Sequence, residues 1–312
     1  MPELRKDYIL DRYVIIATER GKRPDQFMQK QEIKKPDIDY FGPGNEHLTP
    51  AEIGRYPKNE KNWQLRWFPN KFAAVVDKGN PVIRTDNEFF TFADAFGYHE
   101  VIVEDPDINK QLADVPVERM EQLLRVYAER IAELSKKPGI KYVDIFKNHG
   151  EDAGTSLLHT HSQVIAYNDI PQQVLETEKA CEKFSSCPYE RIINIEKTSF
   201  RAVKETPTMV CFTPYASKFP LEIVIFPKRF VLSITEFNDA EYKETAEILK
   251  KLLLKLQSIN APYNIFLQYG ISKMRFRITI APRLAKWAGF ELSTGTIINA
   301  VPPEEAAKFY RS

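Results

Sequence analysis

The chain is poor in the residues that staple or metallate small folds. It has three cysteines, Cys181, Cys187 and Cys211, in 312 residues. Three cannot build a disulfide framework, and no pair has the two-residue spacing of a zinc knuckle. An excess of either charge is also missing: 44 lysines and arginines against 43 aspartates and glutamates leave +1. That balance offers no electrostatic footprint for nucleic acid or an anionic membrane surface. No apolar run approaches the roughly 20 residues that span a bilayer. The start, Met1-Pro2-Glu3-Leu4-Arg5-Lys6-Asp7, lacks the apolar core of a signal peptide. The expectation is a cytoplasmic protein with no nucleic-acid or membrane partner. Histidine is scarce as well: His47, His99, His149, His159 and His161, of which three fall between positions 149 and 161. Such clustering can arise by chance, but it marks where chemistry is to be sought first.

What is present is ordinary for a soluble globular chain, with 43% apolar and 28% charged residues. The length suffices for one large domain or two smaller ones. Residues 12–17 read as a buried strand, and 63–76 as strands broken by a turn at Pro69-Asn70. Residues 98–103 form another β-branched run. Met120, Leu123, Leu124, Tyr127, Ile131 and Leu134 recur at helical spacing across 116–135. Residues 142–146 are strand-like, 148–154 form a glycine-containing loop, and 157–166 read as a further strand. On that strand His159, His161 and Gln163 alternate with Thr160, Ser162 and Val164, which puts all three on one face.

The second half repeats this order loosely. Residues 212–217 echo the Pro69-Asn70 region, 220–225 echo 98–103, and a helix runs over 239–256. Residues 263–269 and 276–281 supply strands, with Arg277, Thr279 and Ala281 where the first half has His159, His161 and Gln163. The reading is a duplicated α+β unit, antiparallel sheets with flanking helices, divided as 1–170 and 171–312. The second copy has lost its catalytic face. Coincidence is the competing explanation, because strand-strand-helix-strand-strand is a common order.

An imidazole is a good nucleophile toward phosphorus near neutral pH. Attack on an α-phosphorus expels a phosphorylated leaving group and leaves a nucleotidyl-imidazole that a second phosphate can accept. The attacking ring needs one nitrogen bonded to a carbonyl so that the other presents its lone pair. Gln163, two residues along the face from His161, can donate an amide N–H to a non-bridging phosphate oxygen. Being unable to donate a proton outright, it suits a leaving group that needs little protonation. Backbone N–H groups around Gly154-Thr155-Ser156, with the Ser156 hydroxyl, can cradle the same phosphate. Two other readings compete. His-x-His on a strand is a common transition-metal arrangement, although no further ligands stand at fixed spacing and glutamine is a poor one. Two histidines and a glutamine can also be satisfied core residues.

His159-x-His161-x-Gln163, preceded by Asn148 and Gly154-Thr155-Ser156, resembles the galactose-1-phosphate uridylyltransferases, a branch of the histidine triad superfamily. The likeness runs along nearly the whole chain: Leu4-Arg5-Lys6-Asp7, residues 12–20, Lys22-Arg23-Pro24, Pro43-Gly44-Asn45-Glu46, Pro69-Asn70-Lys71-Phe72, His99-Glu100-Val101, Pro282-Arg283-Leu284, residues 288–292 and residues 299–304. The resemblance implies that His161 is the uridylylated nucleophile. It implies that the His159 carbonyl fixes the tautomer of His161, and that Gln163 and Ser156 bind the transferred phosphate. Arg20, Arg23, Asn70 and Asn148 would line the nucleotide site. Phe290 and Glu291 would contact the hexose from the partner subunit of a homodimer. Two arginines three apart suit a diphosphate, although a solvated basic turn would look the same, and Phe290 would equally suit a core. The implied partners are UDP-glucose and a hexose 1-phosphate, galactose 1-phosphate in the leading reading. Relatives that phosphorolyse ADP-glucose or dinucleoside polyphosphates form the alternative, and a non-catalytic nucleotide-sugar sensor is a third.

The sequence departs from the family at its metals. Where many members carry a zinc-binding Cys-x-x-Cys and a later histidine, this chain has Asp39, Gly42 and Ile108, so of that set His159 alone remains. A second metal site in some members falls on Gln268, Arg277 and Thr279. The expectation is a protein with no metal and no cofactor, in which Arg277 pairs with Glu176 or Glu178.

Overall fold

The computed structural model describes residues 2–22 and 38–312. Strands β1 (Glu3–Lys6) and β2 (Tyr13–Ile16) are followed by β3 (Gly54–Tyr56), β4 (Leu65–Pro69), a small hairpin of β5 (Arg84–Thr85) and β6 (Thr91–Phe92), and β7 (Gly97–Val103). Helix α1 (Val117–Leu134), β8 (Tyr142–His149) and β9 (His161–Tyr167) come next. Then follow α2 (Gln172–Cys181), α3 (Pro188–Glu196), β10 (Ala202–Glu205), β11 (Met209–Phe212), β12 (Ile223–Pro227), α4 (Asp239–Ser258), β13 (Tyr263–Gln268), β14 (Arg277–Pro282), α5 (Gly289–Thr294), β15 (Ile297–Asn299) and α6 (Pro303–Arg311). None of the described helices is long and apolar enough to cross a membrane.

Ten strands form one antiparallel sheet in the order β10-β11-β12-β14-β13-β8-β9-β7-β4-β3. The order is nearly palindromic: an edge-to-centre run β3-β4-β7-β9-β8 meets β13-β14-β12-β11-β10. The join is the β8–β13 pair, where Asn148 faces Asn264 and Phe146 faces Phe266. Helices α1 and α4 lie together across one face. Met120, Leu123, Leu124 and Leu134 of α1 and Leu249, Leu252, Leu253 and Leu256 of α4 bury against Val143, Ile145, Val164, Ile265, Ile278 and Ile280. Each such side chain contributes about 1.5–3 kcal/mol by leaving water, which is why the helical and strand periods in the sequence point inward at one core. Helix α4 is also capped locally: the Asn238 side chain accepts the Glu241 N–H at 3.0 Å, and the Glu241 carboxylate accepts the Asn238 N–H at 2.8 Å.

Among the described residues, the other face is covered at its ends. Phe41 and Trp63 pack on Phe68, Val101 and Val103 over the first-half strands. Ile9, Tyr189 and Ile193 pack on Phe212, Val224 and Phe226 over the second-half strands. Between these caps the centre of the sheet lies open as a groove lined by Asp144, Phe146, Asn148, Asn264, Phe266 and Gln268, among others.

Three expectations need correction. Residues 71–76 form no strand; after the Asn70 turn their ladder pairing is an isolated bridge, Val76 to Phe96, and the Ala74 N–H bonds to the His99 ring. β8 continues past Phe146 to His149, because its last residues pair with β13 of the other half. β9 begins at His161 rather than at 157, so His159 precedes the strand and the alternation does not extend to it. The opening segment also crosses the molecule: β2 pairs in parallel with β15, and Arg5 is ion-paired to Glu304 at 3.0 Å.

Candidate active site

His161 opens β9 on the face away from the helices, and Phe41 stands edge-on to its ring at 5.4 Å between centroids. Its Nδ1 lies 2.8 Å from the His159 carbonyl. A carbonyl only accepts, so Nδ1 carries the proton and Nε2 presents a lone pair. Burial pushes the His161 pKa down to about 4, helped by the field of the Lys147 ammonium, so the ring is neutral at pH 7. Tautomer and charge are both those of a nucleophile.

Beneath His161, on the helix-covered side, lies a buried polar network. The Lys147 ammonium donates to the Glu104 carboxylate at 2.6 Å, to Thr160 Oγ1 at 2.9 Å and to the His161 carbonyl at 3.2 Å. Glu104 also accepts from Thr160 at 2.5 Å and from Ser162, and Ser162 Oγ lies 2.5 Å from the Tyr127 hydroxyl of α1. These bonds hold the first residues of β9 from below. Sequence reasoning missed the network. Its signal was Lys147 in phase with Val143 and Ile145, a charge where the pattern calls for an apolar residue.

The His159 side chain is held at both ring nitrogens. Its Nδ1 meets the Asp39 carboxylate at 2.8 Å and its Nε2 meets the Asp105 carbonyl at 2.6 Å. Both partners offer acceptor oxygens, so the ring is held between a carboxylate and a carbonyl. Gly42 makes room for this: a Cβ there would lie 2.4 Å from Asp39 Oδ2. With Gly42 lacking a side chain and Ile108 buried and apolar, the residues do not fit a zinc ion. A carboxylate–imidazole pair occupies the place instead.

The second metal position does not fit either. Arg277 Nε donates to Gln268 Oε1 at 2.8 Å, Thr279 Oγ1 donates to the same oxygen at 2.9 Å, and Arg277 Nη1 donates to the Tyr189 hydroxyl at 2.7 Å. The expected pairing of Arg277 with Glu176 or Glu178 is wrong. The Glu178 carboxylate instead accepts the backbone N–H groups of Ile271, Ser272 and Lys273. A turn with several unpaired donors attracts a carboxylate as well as a guanidinium does. Glu176 accepts from Gln172 within α2. Among the described residues, no group of three or more His, Cys, Asp or Glu side chains is arranged to hold a metal ion.

A cavity of about 360 Å³ adjoins His161, lined among others by Asn148, His149, Gly150, Thr155 and Thr160. Gly154 closes the preceding turn with a left-handed φ of 85°, which a residue with a Cβ resists. Thr155 Oγ1 is buried with no hydrogen-bond partner among the described residues, and Ser156 is exposed. Asn148 is held from the second half: Asn264 donates to its Oδ1 at 2.8 Å, and Arg283 donates to Asn264 Oδ1 at 3.2 Å. His149 stacks on Tyr263, and burial lowers its pKa to about 4.

Gln163 lies two residues along β9, bonded to His99 on β7 with Oε1 2.9 Å from Nε2. Asn70 reaches the same ring, with Nδ2 3.1 Å from Nε2. His99 was passed over as a site residue although it is one of only five histidines. Arg20 sits in a short 3-10 turn, Thr18–Lys22, and Arg23 lies outside the described residues. Phe290 and Glu291 stand on α5, where Phe290 is 45% exposed and Glu291 caps its own helix. Neither lines the cavity beside His161 of the same chain.

The family model for galactose-1-phosphate uridyl transferase, N-terminal domain, matches residues 1–171. The chain belongs to that family. It is 30% identical to the ADP-glucose phosphorylase of Arabidopsis thaliana over 99% of its own length and 92% of the relative. It is 28% identical to the galactose-1-phosphate uridylyltransferase of Thermotoga maritima over 100% of its length and 98% of the relative. Among solved structures, the Arabidopsis ADP-glucose phosphorylase with bound ADP-glucose superposes with a TM-score of 0.85 at 28% identity, covering 100% of this chain and 98% of that one. A uridylyltransferase structure matches in fold with a TM-score of 0.76 at 24% identity, covering 100% and 97%.

Proposed function

We propose that the protein is a cytoplasmic nucleotidylyltransferase that passes a uridylyl group from UDP-glucose to galactose 1-phosphate through His161. In the first step His161 Nε2 attacks the α-phosphorus of UDP-glucose. The P–N bond forms as the bond to glucose 1-phosphate breaks, and the leaving phosphate departs as an anion without needing a proton. In the second step a phosphate oxygen of galactose 1-phosphate attacks the same phosphorus, the P–N bond breaks and UDP-galactose is released. Gln163, Ser156, Thr155, the Gly154 backbone and Asn148 would bind the transferred phosphate, with Asn70, Arg20 and Arg23 on the nucleotide. A homodimer would bring Phe290 and Glu291 of the partner subunit to the hexose. The second half, 171–312, would serve as a degenerate copy of 1–170 that supports the site without sharing in the chemistry.

The observation that carries this reading is the bond from His161 Nδ1 to the His159 carbonyl, at 2.8 Å in a ring that burial keeps neutral. The direct test is the intact mass of the protein after incubation with UDP-glucose. A uridylyl adduct that disappears on adding galactose 1-phosphate is the expected result. Binding of UDP-glucose with no adduct and no glucose 1-phosphate released would instead mark a nucleotide-sugar sensor.

A second reading keeps His161 and changes the cargo: adenylyl transfer from ADP-glucose to inorganic phosphate. It is favoured by the 30% identity to the Arabidopsis ADP-glucose phosphorylase over nearly the full length of both chains. The same measurement with ADP-glucose separates the two readings, because the adenylyl and uridylyl adducts differ in mass.

A further inference from the structure

An amide side chain has two ends, and only one suits a phosphate. If the Gln163 oxygen faced the substrate, it would repel the non-bridging oxygens it is meant to bind. Nothing in Gln163 itself decides which end points where. We propose that His99 is the positioning residue that decides it, by holding the Gln163 carbonyl so that its N–H₂ group faces the transferred phosphate. This rests on the function proposed above.

The ring of His99 is locked by a backbone group. The Ala74 N–H donates to His99 Nδ1 at 3.0 Å. A backbone amide is always a donor, so Nδ1 holds the lone pair and Nε2 holds the proton. That proton meets Gln163 Oε1 at 2.9 Å, an acceptor, so the orientation of the Gln163 amide follows from the Ala74 peptide. Register allows the contact: Gln163 faces Val101 across the β7–β9 ladder and His99 faces Ile165, which makes His99 the diagonal neighbour of Gln163. Burial lowers the His99 pKa, consistent with a neutral ring.

Asn70 stands beside the same ring. Its Oδ1 accepts the Phe72 N–H at 2.9 Å, which fixes its own amide orientation. Its Nδ2 then lies 3.1 Å from His99 Nε2. Two donors cannot bond each other, so the Asn70 amide hydrogens are left for another acceptor, as those of Gln163 are. The strand order β4-β7-β9 thus brings around one imidazole two amides with committed oxygens and with N–H groups that find no acceptor among the described residues. Donors fixed in advance of the reaction stabilise charge developing on phosphorus at little reorganisation cost.

The substrate-free tautomer is the first test. Nitrogen NMR of the histidine rings in the wild-type protein should show His99 protonated at Nε2 and bare at Nδ1. A His99 ring protonated at Nδ1 would overturn the proposal. The second test is kinetic. His99→Phe should slow adduct formation about 10–100-fold, with KM for the nucleotide sugar changed less than about threefold. His99→Gln, whose amide N–H can replace Nε2–H, should recover most of that loss. In a Gln163→Ala background, His99→Phe should cost less than about twofold more, because its effect runs through Gln163. Losses that multiply in the double variant would refute the proposal. If the wild-type protein forms no adduct with either nucleotide sugar, the proposed function fails while the tautomer measurement still judges His99.

Discussion

β9 and β14 occupy corresponding places in the two runs of the sheet, and both turn polar side chains toward the face opposite α1 and α4. On β14, Arg277 and Thr279 spend their hydrogen bonds on Gln268 and Tyr189. On β9, His161 spends one ring nitrogen on a carbonyl and keeps the other open, while Gln163 commits its oxygen and keeps its N–H₂ group. The undersides differ in the same sense. Ile278 and Ile280 lie under β14 in an all-apolar layer, whereas Ser162 and the network of Glu104, Lys147 and Thr160 lie under β9. A closed polar network gives structure. Reactivity appears where rigid surroundings leave one group unsatisfied.

The sharpest way to break the comparison is to exchange roles. His161→Ala should lower turnover at least about 10⁴-fold and abolish the covalent adduct, read by intact mass, with an unchanged circular dichroism spectrum. Arg277→Met should change turnover less than about threefold; comparable losses at both positions would mean that the second half takes part in the chemistry. Next in size is the underside. Lys147→Met strands the Glu104 carboxylate in the interior and should cost about 3–5 kcal/mol in urea unfolding. Ile265→Val, its β13 partner across the join, should cost about 0.5–1.5 kcal/mol.

Asp39→Ala should cost about 1–3 kcal/mol, because the buried His159 Nδ1 loses its acceptor. A chelator should leave the melting temperature of the wild type unchanged; stoichiometric zinc by elemental analysis would contradict the replacement of metal by the Asp39–His159 pair. The smallest effect is a matter of pH. His149 has a folded pKa of about 4 against a usual 6.5, so between those values the unfolded chain binds more protons than the folded one. Stability should therefore fall as pH drops from about 6.5 toward 4. His149→Phe keeps the ring stack on Tyr263 and should flatten that slope in denaturation measured at several pH values.

Much of this was legible in the sequence, for identifiable reasons. Helices α1 and α4 were visible because one side of each faces a single apolar core, so their periodicity is strong. Strand β7 was visible as a β-branched run, and β13 and β14 as short apolar stretches. Residues 71–76 were misread because Phe72, Ala73, Ala74, Val75 and Val76 look like a strand, yet the chain there has no ladder partner, and Phe72 is 85% exposed. The two breaks in pattern that mattered most, Lys147 inside a buried strand and His99 beside a glutamate, are single residues whose meaning depends on which strand lies next to them.

By itself the sequence determined the family and pointed to His161 and Gln163 as the proposed nucleophile and its neighbour, because those depend on local spacing and on residues that recur along the whole chain. It also determined that the family's zinc ligands are gone, since Asp39, Gly42 and Ile108 can be read one at a time. Only the tertiary structure decided what stands in their place, which end of Gln163 meets His99, and where Arg277 and Glu178 find their partners. The physical reason is range. A tautomer, an amide orientation or an ion pair is set by whichever partner lies within about 3 Å, and here those partners come from Ala74, Asp105 and Asn264, residues that strand order, not chain proximity, brings to the site.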